Sequence, residues 1–92
     1  MAGALFGFAY SQDALAYLKT IPVKLRRQIV NKIGCLAADP HPPNCKMVQG
    51  MVDGEDQVYR IRSGDYRVLY TVRNNPSQII VLDINHRKDV YR

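Results

Sequence analysis

From Leu5 to Tyr10 the chain is apolar and aromatic, which predicts a short first strand buried on at least one side. Ser11 then offers a hydroxyl to cap a helix, and "SQDALAYLKTI" repeats apolar residues at Ala14, Leu15, Leu18 and Ile21. Pro22 suits the first turn of a second helix, where its missing amide has no partner to lose. Leu25, Ile29, Ile33 and Leu36 follow at helical spacing and predict one buried stripe, with Lys24, Arg26, Arg27 and Lys32 on the wet side. "ADPHPPNCK" holds three prolines in nine residues and must be a loop, and "GMVDGED" extends this turn-rich stretch. The period then changes to two. Gln57, Tyr59 and Ile61 alternate with Val58, Arg60 and Arg62; after "SGD", Tyr66, Val68, Tyr70 and Val72 alternate with Arg67, Leu69, Thr71 and Arg73. "NNPS" makes another turn, and "QIIVLDIN" is nearly continuous apolar and β-branched sequence, the pattern of a strand covered on both faces. The order β-α-α-β-β-β predicts an α+β domain in which two N-terminal helices pack on one face of a small antiparallel sheet.

Length and composition narrow this picture. Ninety-two residues, 47% hydrophobic and 23% charged, predict one globular domain over residues 1–92 with one core. No apolar run reaches the eighteen residues of a membrane span, and the opening "MAGALFGFAY" lacks the basic start of a signal sequence. Cys35 and Cys45 have no second pair with which to build a zinc site or a disulfide framework, and read as reduced thiols in a cytoplasmic protein. The net charge of +5 is unevenly spread: five cations against one anion over 11–38, one against four over 39–56, and seven against three over 57–92. Two basic segments flanking an acidic loop favour a polyanionic partner, nucleic acid first.

If helices cover one face of the sheet, the arginines alternating away from the core share the other. Arg60 and Arg62 fall on one face of their strand, and Arg67 joins them if the "SGD" turn sets the register accordingly. Planar guanidinium forks suit phosphate, although arginines on an open face can also serve solubility and pair with Asp65 or Asp83. The terminal "INHRKDVYR" carries His86, Arg87 and Tyr91 towards the sheet edge, where they could close one end of the cluster. His86 would move a proton and Tyr91 would stack on a base, against the plainer reading that both are structural. On the second helix Lys24, Arg26, Arg27 and Lys32 read most simply as a solvated face and alternatively as a docking surface for rRNA or DNA; Arg73 and Lys88 extend that RNA-binding set. Scattered acids and the lack of a His/carboxylate spacing argue against a metal centre, and no nucleophile triad is legible. What remains is metal-free, cofactor-free phosphoryl chemistry. RNA supplies its own 2′-OH nucleophile, so a protein need only orient it, neutralise the phosphorane and help move protons.

The segments "FAYSQDALAYLKTIP", "LAADPHPP", "CKMVQGM", "VYRIRSGDYRVLYTV" and "HRKDVYR", spanning nearly the whole chain, resemble the RelE/ParE superfamily of toxins, and more closely its RelE-like branch. The resemblance implies the toxin of a type II toxin–antitoxin system: an mRNA interferase that cuts mRNA in the A site of the 70S ribosome. It further implies a cognate antitoxin, and a toxin–antitoxin hetero-oligomer that binds operator DNA through the antitoxin. Carried over by position, Arg60 and Arg62 stand where the family uses lysines, Arg67 matches the arginine of "G-x-YR", Arg87 the arginine after the last strand, and Tyr91 the terminal tyrosine. With arginine at both lysine positions a general-base role does not transfer, since arginine does not release its proton, and His86 is expected to take part of that duty. The ParE branch, whose target is DNA gyrase, shares the fold, and a catalytically inactive basic binding module is the remaining alternative.

Overall fold

The computed structural model describes residues 6–74 and 76–86. Strand β1 (Gly7–Tyr10) runs into helix α1 (Gln12–Thr20), then α2 (Val23–Gly34), which tightens into a 3₁₀ turn at Cys35–Ala37. Strands β2 (Lys46–Asp53), β3 (Asp56–Ser63), β4 (Tyr66–Arg73) and β5 (Gln78–His86) follow, and the five strands form one sheet in the order β1-β5-β4-β3-β2. The expected α+β architecture, two helices on one face of a sheet, is what the chain adopts.

Ser11 caps α1 as expected, its Oγ accepting from the Ala14 amide at 3.0 Å, and it also donates to the Leu82 carbonyl of β5 at 2.7 Å. One side chain thus starts the helix and fixes it to the sheet. Pro22 sits one position before α2, as its N-cap. Ile29, Ile33 and Leu36 of the expected stripe are buried, whereas Leu25 is 38% exposed. On the sheet, Ile61, Val68, Tyr70, Ile79, Val81 and Ile84 complete the core beneath the helices.

The sheet differs from the sequence reading in three respects. It is mixed: β1 pairs parallel to β5, from Gly7 opposite Gln78 to Tyr10 opposite Val81. The helical hairpin after β1 frees this strand from the alternation of direction that short turns impose on β2 to β5. It also has a fifth strand, β2, within the stretch expected to be loop and turn. The register of β2 against β3 shifts between Met47 and Val52, and Gly50 lies at φ 77°, so no period of two survives in the sequence. The Gln57 side-chain amide donates to the Val48 and Met51 carbonyls at 2.8 and 3.1 Å, satisfying backbone that the bulge takes out of the ladder. Finally, β5 buries Ile79, Val81 and Ile84 on the helical side but leaves Ile80 and Leu82 only half-covered.

The proline-rich loop is held by the core itself. Tyr70, 0% exposed, donates its hydroxyl to the Pro40 carbonyl at 2.6 Å, and its ring lies 5.9 Å from that of Tyr59, which in turn meets His41 edge-on at 4.6 Å. Burial pushes the Tyr70 phenol well above its ordinary value of 10.0, with Cys45, Tyr59 and Asp39 adding to the effect. Tyr70→Phe should cost about 1–2 kcal/mol at neutral pH by leaving the Pro40 carbonyl unpaired, read as a lower midpoint in urea. Because the folded-state pKa is raised, the phenol's contribution is constant below pH 10 and is lost as the pH climbs beyond it, at about 1.4 kcal/mol per pH unit. Wild type should therefore lose more stability than Tyr70→Phe between pH 8 and pH 11; parallel losses would show that Tyr70 does not titrate in the unfolded chain alone.

Candidate functional site

The β3–β4 hairpin turns through Gly64 and Asp65, with Ser63 opposite Tyr66. Gly64 stands at φ 60°, in the left-handed region where a side chain is strained. This turn sets Arg62 directly opposite Arg67 and Arg60 opposite Leu69, while Ile61 and Val68 pair on the core side. Lys46 on β2 lies opposite Arg60, and Asn85 on β5 opposite Arg67. The face turned away from the helices therefore carries two rows, Lys46–Arg60–Leu69–Asp83 and Arg62–Arg67–Asn85.

Asn44, Lys46, Arg60, Ile61, Arg62 and Arg67 line an open pocket of about 300 Å³ on this face. Like charges on facing strand positions repel and cost stability, so four cations in one pocket make a strong local field for an anion. Among the described residues, Lys46, Arg60 and Arg62 make no ion pair. Arg73 gives the contrast. Six residues along β4 from Arg67, it binds Asp53 at 3.2 Å and Asp56 at 2.9 Å, tying β4 to the β2–β3 turn. Assigned to RNA from the sequence, Arg73 instead has its charge met by two carboxylates. At the far margin Asp83 accepts from the Ile84 amide at 3.0 Å and from the Asn85 side chain at 3.3 Å, which holds the β5 backbone where its register against β4 shifts.

Arg60, Arg62 and Arg67 thus converge as the alternation predicted. His86 does not join them, which corrects the expectation that it closes the cluster: its register partner is Tyr66, on the helical side. There its ring meets Tyr66 edge-on at 5.1 Å, its Nε2 lies 4.0 Å from Asp65 Oδ2, and its amide donates to the Tyr17 hydroxyl at 3.1 Å. The shift in register between β4 and β5 at Leu69 and Tyr70 brings the even-numbered Ile84 and His86 to the core side, which a strict period of two beginning at Gln78 does not reveal.

Lys24, Arg27 and Lys32 are exposed on α2, across the molecule from the arginine pocket. Arg26 is half-buried and donates to the Ile21 carbonyl at 3.1 Å, so it secures the α1–α2 turn rather than standing free. Arg87, Lys88 and Tyr91 lie outside the described residues. Lys46 and Asn44 went unnoticed in the sequence. Lys46 is the one cation of the acidic segment 39–56, and averaging charge over that segment conceals it; reading "CKMVQGM" as a strand rather than a lead-in was the available signal. No group of three or more His, Cys, Asp or Glu among the described residues could hold a metal ion, and no described helix is long and apolar enough to cross a membrane.

Comparison with known proteins accords with this geometry. Residues 8–91 match the family described as ParE toxin of type II toxin–antitoxin systems. RelE1 of Methanocaldococcus jannaschii is 30% identical over 87 residues, covering 95% of this chain and 96% of that protein. Among solved structures, RelE in the archaeal RelE–RelB complex of Pyrococcus horikoshii superposes with a TM-score of 0.76 at 24% identity, covering 90% of this chain and 96% of that one. The intact RelBE toxin–antitoxin complex of Escherichia coli gives 0.70 at 21% identity, with 88% and 95% covered. With a family match over almost its whole length and a RelE relative covering nearly as much, the chain belongs to the ParE toxin family of type II toxin–antitoxin systems and, within the RelE/ParE superfamily, is RelE-like.

Proposed function

We propose that this toxin is a ribosome-dependent endoribonuclease that cuts mRNA in the A site, with the 2′-OH of the RNA as nucleophile and no metal ion. The observation that carries this reading is the pocket in which Lys46, Arg60, Arg62 and Arg67 converge on the face away from the helices. An in-line attack on a phosphodiester gathers negative charge on the non-bridging oxygens, and preorganised cations aimed at that charge stabilise the transition state more than the ground state. Arg62 and Arg67, facing each other across β3 and β4, are placed to straddle such a phosphate, and Arg60 backs them from the next row. Arg87 and Tyr91 enter this reading from the family resemblance, the first as a further phosphate contact and the second as a base-stacking platform. Lys24, Arg27, Lys32 and Lys88 are then contacts to ribosomal RNA, and the ribosome as target places the protein in the cytoplasm. His86 and Arg73 have no catalytic or RNA-binding part in it.

RelE proteins of Pyrococcus horikoshii and Escherichia coli are held in complexes with RelB antitoxins, and a cognate antitoxin of that kind is the proposed partner here. The second reading is inhibition of DNA gyrase, which the match to the ParE description favours. It differs in where the damage falls.

Purified toxin added to programmed ribosomes should cut mRNA at the A-site codon and leave a 2′,3′-cyclic phosphate or 3′-phosphate, undiminished by EDTA at levels that keep ribosomes intact. Arg67→Ala and Arg87→Ala should each slow cutting by about 10²-fold or more, as removal of a single electrostatic stabiliser does, with urea midpoints unchanged. Arg73→Ala should cut at the wild-type rate, and His86→Gln should leave the shape of the pH–rate profile unaltered. Intact mRNA together with gyrase-dependent DNA breaks would establish the second reading in place of the first. Expressed without its antitoxin the protein should arrest growth, and co-expression of the neighbouring antitoxin gene should restore it.

A further inference from the structure

Cleavage by the 2′-OH needs more than charge: the departing 5′-oxygen must receive a proton, or leave as a strongly basic alkoxide. Of the six residues lining the pocket, Arg60, Arg62 and Arg67 carry guanidinium groups that keep their protons, Asn44 has a neutral amide, and Ile61 has no polar side chain. His86 is committed to the opposite face. Asp83, at the margin of the same face, has both carboxylate oxygens engaged by Ile84 and Asn85. Lys46 is the described pocket residue whose side chain carries a proton it can release.

Its position suits the task. Lys46 stands in register with Arg60, one row along the strands from Arg62 and Arg67. At about 3.3 Å per residue the rows lie about 7 Å apart, so a phosphate gripped between Arg62 and Arg67 would lie within reach of the Lys46 side chain. An exposed lysine on an edge strand, with no ion pair among the described residues, is also free to turn its ammonium into the pocket.

We propose that Lys46 is the general acid of this toxin, an inference that rests on the ribonuclease reading. The 2′-oxygen forms its bond to phosphorus as the P–O5′ bond breaks, the electron pair of that bond passing to O5′. The Lys46 ammonium gives O5′ its proton, yielding a 5′-hydroxyl and a neutral amine. The proton of the 2′-OH passes to water, and the amine recovers a proton from solvent. The other product is the 2′,3′-cyclic phosphate.

The test uses full-length toxin and programmed ribosomes carrying either ordinary mRNA or mRNA with a single 5′-bridging sulfur at the scissile phosphate. A thiolate leaves without needing a proton, so this substrate bypasses the acid. Lys46→Arg keeps the positive charge and removes the releasable proton. It should cut ordinary mRNA about 10²-fold or more slowly and cut the sulfur-bridged mRNA at close to the wild-type rate. Equal slowing on both substrates would reduce Lys46 to an electrostatic or structural part, and wild-type rates on both would remove it from the reaction; either result overturns the proposal. So would rescue by sulfur in Tyr91→Phe but not in Lys46→Arg, which would move the acid to the C-terminal tyrosine. If wild-type toxin cuts neither substrate, the failure lies in the ribonuclease reading itself, and the two outcomes are told apart by the wild-type lanes alone.

Discussion

The register of one hairpin governs both halves of this molecule. With Ser63 opposite Tyr66 across the Gly64–Asp65 turn, every second residue of β3 and β4 enters the core and every other one faces away from the helices. A slip by one residue would put Arg60, Arg62 and Arg67 under the helices and expel Ile61 and Val68 into water. The burial that stabilises the fold is therefore the same event that assembles the pocket. Gly64 makes the turn possible, because a backbone at φ 60° is open to glycine and strained for nearly every other residue.

Charge on the open face is sorted by what stands nearby. Arg73 and the pocket arginines share a face and differ in neighbours: two carboxylates meet Arg73, while Arg62 looks across at Arg67. Exposed ion pairs contribute little to stability, so the pairing of Arg73 matters chiefly in taking one cation out of the positive field of the open face. Facing arginines do the reverse, since each raises the potential at the other, a repulsion that a bound anion would relieve.

Much of this was legible in the chain because it rests on periodicity. The helical stripe of Ile29, Ile33 and Leu36 and the alternation that groups Arg60, Arg62 and Arg67 follow directly from spacing. Features that break the period were hidden. The bulge in β2 disguised a strand as loop and with it Lys46; the register shift in β5 turned His86 from the expected face to the other. Arg73 shows a different limit, because the two aspartates that meet it lie 17 and 20 residues away in sequence and meet it only through the β2–β3 turn. Tyr70 illustrates the same point in the core: its alternation marks it as buried, but nothing local says that its hydroxyl reaches Pro40, thirty residues back.

The separation of helical and polar faces has a consequence for which substitutions the domain can absorb. Of the residues lining the pocket, Ile61 alone also belongs to the core, while Asn44, Lys46 and Arg62 are exposed and take no part in it. Substitutions at the exposed Lys46 and Arg62 can therefore change the charge of the pocket while the core beneath the helices keeps its packing.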